Sequence, residues 1–408
     1  MKFLLWLLPF FSLSLAAADW PQFLGPDRNG ISPETNLSGA WPAEGPPVRW
    51  QTNVGQGFSG PVVAEGKLIL FHRLGGQETI DCLEAKTGRA SWRFAYPTHY
   101  QDDFGFDEGP RATPAIAAVK VFTMGAEGAV YCVDLQSVKE AWHVNCKDKF
   151  HAAKGFFGMA CSPLLEGGAV ILNIGGGDGA GIIALDQTTG ALRWKKTDDA
   201  AGYSSPIAAT INGRRYGLIF TRAGLVGLNP TSGALYFDFP WRSRENASVN
   251  AATPLVSGDA VFLTASYETG AVLLRLKEDV AQKVWSGDEA LSCHYATPVL
   301  RDGYLYGIHG RADPGMQPRP SLRCVEWATG RVCWTEEDFG AASITLAGGQ
   351  LFILTEGGEL VRAAANPKKF QVVSRAQVLP AGVRAFPALA GGCLYARSKD
   401  KLFCLALK

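Results

Sequence analysis

"EAKTGRASW" (residues 84–92) decides the fold, because its frame of Thr-Gly, three residues and Trp returns as "TTGALRW" (188–194) and as "ATGRVCW" (328–334). A catalytic motif is needed once; a phrase that recurs along a chain marks a repeated structural unit. Around each copy the same order holds. A small residue or two and Pro precede an apolar strand, a Gly turn and a second strand. A loop then leads to a third strand often ending in Asp or Glu, the Thr-Gly turn and a last strand with an aromatic residue. The units start at Pro61, Pro114, Pro163, Pro206, Pro254, Pro298, at Ile344 in place of Pro, and at Pro387, a period of about 47 residues. No long stretch keeps a 3.6-residue apolar period, so the chain reads as all-β: an eight-bladed β-propeller of four-stranded antiparallel blades.

The aromatic ends are Trp92, Trp142, Trp194, Phe237, Trp285 and Trp334, with the seventh unit degraded near Val372. The eighth unit stops at Lys408 before any such strand, while "VRWQTN" (48–53) stands spare ahead of the first start. Trp50 is therefore predicted to lie on the outer strand of the last blade, so that both termini fasten one blade and no sheet edge stays open between them. The Gly of each Thr-Gly pair supplies a turn position with φ > 0. The Trp is expected to pack against the neighbouring blade.

Residues 1–18 read as a signal peptide: Lys2, the apolar run "FLLWLLPFFSLSL" and Ala16-Ala17-Ala18 before Asp19. The run is shorter than the roughly 20 apolar residues a spanning helix needs, so the mature protein is expected to be secreted or periplasmic, without a membrane span, and monomeric. Residues 19–48 then form a leader and 49–408 the propeller. Removal of Lys2 leaves 38 basic and 38 acidic residues. A net charge of zero provides no basic face for nucleic acid or anionic membrane. Of nine Cys, Cys82, Cys132, Cys324 and Cys404 share one third-strand slot that Ala184 fills in the third unit. Small buried thiols are expected there, with a Cys324–Cys333 cross-strand disulfide the less favoured option. No Cys-x-x-Cys or His-rich spacing predicts a metal site.

Units with a small residue and Pro, a Gly-centred hairpin, "LDQTTG" (185–190) and a distal Trp resemble the PQQ-like β-propeller family, which includes quinoprotein alcohol dehydrogenases and the outer-membrane-protein assembly lipoprotein. "DWPQFLGPDRNGIS" (19–32) resembles the leader of secreted members. The resemblance implies an eight-bladed ring and, in the family's enzymes, PQQ in the central funnel with calcium and a catalytic Asp. This sequence departs from those enzymes: it has no adjacent Cys pair and no Cys-x-x-Cys-His haem site, and their calcium ligands and catalytic Asp match no position.

Function belongs on the connections, since the blades are scaffold. Three are long: 95–111, acidic and aromatic; 148–160, with Phe150, Phe156 and Phe157; and 307–321, with His309 and Arg311. The residue three before each start Pro enters the innermost strand at the ring's centre, which places Phe58, Arg111, Ala160, Tyr203, Ala251, Tyr295 and Arg384 there, with Asn250 and His294 one position earlier. Arg111, Tyr203, Asn250, His294, Tyr295 and Arg384 are the candidate ligand-binding residues, suited to a planar or anionic ligand. The competing reading is a plug, in which both Arg pair with the protein's own carboxylates, Asp102, Asp103, Asp107 or Glu108 among them. "GGGDGAG" (175–181) precedes no helix and is read as a hairpin tip rather than a phosphate loop. The favoured function is a non-catalytic binding or protein-scaffold module, with no catalytic residue, metal or cofactor assigned. The alternative is a small PQQ- and calcium-dependent oxidoreductase of alcohols or sugars.

Overall fold

The computed structural model describes residues 18–37, 41–246, 248–313 and 315–408; the predicted signal peptide lies outside them but for its last residue. The strands form eight sheets arranged as the blades of a propeller, and the one helix among the described residues is the single turn Cys146–Phe150. No described helix is long and apolar enough to cross a membrane. Seven blades are built from four consecutive strands; the eighth takes three from the C-terminus and its outer strand from the N-terminal β2 (Val48–Asn53), antiparallel to Lys401–Ala406 with Trp50 opposite Cys404. Closure by the N-terminal strand is as expected.

The Thr-Gly–Trp phrase joins blades rather than completing one. Each outer-strand indole donates its N–H to a carbonyl at the turn of the following blade: Trp50 to Ala85, Trp92 to Leu135, Trp142 to Gln187, Trp194 to Pro230, Trp285 to Trp327 and Trp334 to Asn366, at 2.8–3.2 Å. The same ring covers that turn's Gly. A Cβ on Gly88 would come within 2.6 Å of Trp50, and one on Gly190 within 2.7 Å of Trp142. Gly is thus required twice, for φ near +70° and for the ring above it. The Cys slot has a related cause. Cys82, Cys132, Ala184, Cys324 and Cys404 lie directly opposite Trp92, Trp142, Trp194, Trp334 and Trp50, so a small residue leaves room for the ring. All nine Cys are free thiols, and only Cys333 is not fully buried. Burial pushes the Cys132 thiol up to about 11.

The seventh blade lacks an aromatic end, as expected near Val372. Its outer strand, Gln371–Gln377, is complete, and the residue in the Trp position is Ser374, opposite Arg362 and, beyond it, Phe352. The leader supplies the missing ring. Trp41 donates its backbone N–H to the Ser374 hydroxyl (3.1 Å) and lies 6.1 Å from Phe352. Trp142 meets Phe122, and Trp334 meets Tyr306, at 6.0 Å in the same way.

The leader also crosses the channel. Trp20 pairs with Val63 of the first blade through both backbone groups, and Pro21 O accepts from Ile116 of the second. The guanidinium of Arg28, 3% exposed, donates to Ser162 O and Pro163 O of the third blade. On the opposite side of the ring β1 (Ile31–Ser32) adds a parallel strand to Ala342–Ala347 of the seventh. In an eight-bladed ring the third and seventh blades face each other, so the leader spans the bore.

Trp50→Ala should lower the unfolding free energy on the order of 3 kcal/mol, and deletion of residues 46–52 should lower the melting temperature of the whole ring in calorimetry, not fray one end. In the second blade Ser137-Val138 replaces Thr-Gly, and Val138 holds φ +63°, a conformation that is costly for a β-branched residue. Val138→Gly should therefore stabilise the protein by about 0.5–1 kcal/mol in urea unfolding.

Candidate functional site

All seven residues placed by register, Phe58, Arg111, Ala160, Tyr203, Ala251, Tyr295 and Arg384, line one cavity of about 210 Å³ at the centre of the ring. The residue before each start Pro explains the arrangement. Gly60 N–H donates to the Thr113 hydroxyl, Thr113 N–H to Ser162, Ser162 N–H to Ser205 and Thr253 N–H to Thr297, at 2.9–3.1 Å. These bonds stitch successive inner strands around the bore. They also leave the hydroxyl protons of Thr113, Ser162 and Ser205, which line the cavity, as available donors.

The two arginines meet across Phe58, whose ring centroid lies 5.5 Å from the Arg111 guanidinium and 5.7 Å from that of Arg384. Both are paired with the protein's own carboxylates. Arg111 lies 3.3 Å from Asp102, with both side chains buried, and donates further to Gly109 O and Asp107 O. Arg384 donates from Nε to Glu356 at 2.6 Å, in a pair that is partly exposed. The acidic loop 95–111 thus serves Arg111 as the plug reading requires. Arg384 uses Glu356, which lies outside that loop. Like charges in a concave site need compensation; here the chain supplies it, and no anionic ligand is demanded. Both arginines thus carry internal counter-charges, and the cavity lies beneath them.

Two further candidates turn out to be committed internally. Asn250 is buried away from the cavity, its amide donating to Thr221 O and Trp241 O at 2.9 and 3.2 Å. His294 lines the cavity, but its Nδ1 accepts from Ala312 N (3.2 Å) and its Nε2 meets the Tyr267 hydroxyl (2.7 Å). Burial pushes the His294 imidazolium down. In the neutral ring the proton then sits on Nε2, because Nδ1 is an acceptor. Tyr203 accepts from Phe156 N and Phe157 N at 2.8 and 3.1 Å, fixing the loop 148–160. Tyr295 is partly exposed toward the cavity, and burial pushes its hydroxyl's pKa up, keeping it protonated.

Apart from Phe386, which precedes the start Pro387, the remaining aromatic walls lie outside the repeat register. Phe23 of the leader packs edge-on against Phe386 at 5.2 Å, and both line the cavity on the side the leader crosses. Phe106 and Phe157, from the loops 95–111 and 148–160, meet at 6.0 Å over the mouth, and Phe104 lies 4.9 Å from Phe157. The aromatic content of those loops is a signal in the sequence; Phe23 is signalled only by the leader motif. In the third long loop Arg311 is held by Asp313 (2.6 Å) and Glu245 (3.4 Å). "GGGDGAG" forms the tip between Ala169–Asn173 and Ile182–Asp186.

The resemblance to quinoprotein dehydrogenases implies calcium with PQQ in the central funnel. Calcium takes six to eight oxygen ligands, usually with several carboxylates. The lining offers one carboxylate, Asp313, already bonded by Arg311, and the Asn250 amide faces away. No group of three or more His, Cys, Asp or Glu among the described residues is placed to hold a metal ion. This donor set does not fit calcium.

A family model described as outer membrane protein assembly factor BamB matches residues 76–336. No curated protein matches the sequence. Among solved structures, BamB from Moraxella catarrhalis superposes with a TM-score of 0.63 at 15% identity, covering 89% of this chain and 98% of the other. Quinohemoprotein alcohol dehydrogenase from Comamonas testosteroni gives a TM-score of 0.67 at 15% identity, covering 95% and 80%. A europium-containing methanol dehydrogenase gives 0.51 at 13% identity, covering 94% and 90%. At these identities the likeness is one of fold.

The two ion pairs at the mouth should behave differently. Asp102→Asn leaves a buried guanidinium without its carboxylate and should cost about 3 kcal/mol in chemical unfolding. Glu356→Gln, at a partly exposed pair, should cost about 1 kcal/mol or less.

Proposed function

The chain belongs to the family described as outer membrane protein assembly factor BamB, and we propose that within it this protein is a non-catalytic binding module, exported to the periplasm or beyond, whose funnel receives a planar aromatic group. One observation carries this reading: the arginines at the mouth already hold their own carboxylates, while the walls beneath are aromatic rings and hydroxyl donors. An apolar cavity of about 150 Å³ accepts benzene, so about 210 Å³ has room for somewhat more than one ring. Offset or edge contacts with Phe58, Phe157 and Tyr295 suit such a group, and Ser162, Ser205 and Arg384 would donate to its carbonyl or hydroxyl oxygens. Export is supported by the basic start, apolar run and small residues of 1–18. A role in holding a partner protein agrees with the fold shared with BamB.

N-phenyl-1-naphthylamine, a neutral fluorophore whose planar naphthyl group can enter the funnel with its phenyl ring left toward the open mouth, tests the reading. It should bind saturably with enhanced emission, and Phe157→Ala should weaken it roughly tenfold, the equivalent of about 1.4 kcal/mol. PQQ with calcium should give neither saturable quenching of protein fluorescence nor dye-linked alcohol oxidation. Stoichiometric binding of PQQ accompanied by that oxidation would replace the binding-module reading with the oxidoreductase.

A further inference from the structure

We propose that Glu78 is a proton-operated clamp on the cap of the funnel, keeping the turn 125–128 seated while neutral and releasing it when ionised, a regulation that rests on the funnel being the binding site. Glu78 lies on the strand Gln77–Glu84 of the first blade and is 1% exposed. Its Oε1 accepts the N–H of Ala126 in the second blade at 2.8 Å.

That turn holds both cap loops. Ala126 O accepts from Met159 N, and Gly128 O from Cys146 N, each at 2.9 Å. The Glu127 carboxylate accepts from the Thr98 hydroxyl and from His99 N, each at 2.8 Å. The loops 95–111 and 148–160, which bring Phe106 and Phe157 over the cavity, are therefore tied to a single turn, and the turn is tied to Glu78.

The groups facing Glu78 act in both directions: the Ala126 N–H it holds and the neighbouring Tyr96 hydroxyl favour its charged form, and burial outweighs them. Arg73, on Lys67–Leu74, favours its charge but is engaged by Tyr100 O at 2.6 Å and by Glu108 at 3.5 Å. Glu127 on the turn opposes the charge. Tyr96, on Ala90–Pro97, places its hydroxyl beside the carboxyl without a well-formed hydrogen bond to any described residue, and its ring stacks on Tyr131 of Ala129–Asp134 at 4.0 Å. A Cβ on Gly125 would lie 2.0 Å from Glu78 Oε2, so the packing around the carboxyl is tight. Burial is the dominant cause that pushes this carboxyl from 4.5 up to about 7.

The sign follows by linkage. The seated state holds the proton more tightly than a hydrated, unseated one, so opening becomes easier as pH rises from the ordinary carboxyl range to about 7 and is constant above it. Below that window both states are protonated and the clamp is at full strength.

The test is amide exchange of Met159, Cys146 and His99 from pH 5 to 8, expressed as protection relative to the intrinsic rate at each pH. Protection should fall by up to about tenfold per pH unit to about pH 7, while amides of Ala169–Asn173 stay unchanged. In Glu78→Gln it should be independent of pH. A flat profile in the unaltered protein, or the same fall in Glu78→Gln, overturns the proposal. If that variant does not fold, carbon-detected titration of the Glu78 carboxyl in the unaltered protein replaces it, and a midpoint in the ordinary carboxylate range overturns the clamp. N-phenyl-1-naphthylamine separates the two readings. Amides that respond to pH while the fluorophore binds at no pH leave the clamp standing and remove the binding site. Equal affinity at pH 5 and pH 8 beside responsive amides removes the regulation.

Discussion

The ring depends on one contact made six times: an indole on the outer strand of one blade, donating its N–H to the turn of the next and lying on that turn's glycine or its substitute. A four-stranded blade buries little by itself, and a propeller stands only if each blade covers the next. The indole is suited to this joint because it combines a large apolar face with one donor that must be satisfied when buried. The carbonyl it finds belongs to a turn, where the ladder leaves an acceptor spare. At five of the six joints a small residue lies opposite the ring on its own blade, so Trp, Gly or its substitute, and Cys or Ala form one packing unit that reaches across two blades; Trp285 faces Leu273 instead.

Two joints lack the indole: the fourth blade carries Phe237 in its place, and the seventh carries Ser374. The N-terminus supplies parts to two blades. Trp50 completes the eighth blade, and Trp41 covers Ser374 of the seventh. Further upstream, the leader crosses from the third blade to the seventh and blocks one end of the bore. The cavity is consequently a funnel open toward the loop face instead of a channel. Its rim is set by the cap loops, which are fastened to the blades through Glu127, Ala126 and Tyr203.

The interior of the funnel is electrostatically self-contained. Each arginine that the register brings to the centre has a carboxylate, and His294 is kept neutral by burial and by two internal hydrogen bonds. Hydroxyls that stitch the inner strands are left as donors, and aromatic rings supply most of the surface. A fold shared with BamB and with quinoprotein dehydrogenases therefore carries a lining of its own, and chemistry must be argued from that lining.

The period of about 47 residues and the spare strand at Trp50 were enough to define blade number, closure and register, because each repeat is a local pattern of strands and turns. The same register brought seven residues to one cavity, since every blade enters the centre at the same offset from its Pro. What a repeat cannot encode is a contact made by a segment outside it. The leader across the bore, Trp41 over the seventh blade, Phe23 in the wall and Glu356 beside Arg384 join residues far apart in the chain, and no spacing announces them. Nor did offset alone separate Asn250, turned to carbonyls of the fourth blade, from Tyr203 beside the cavity. Position along a strand is set by sequence; the direction and partner of each side chain at the centre were decided when eight blades and the leader closed on one another.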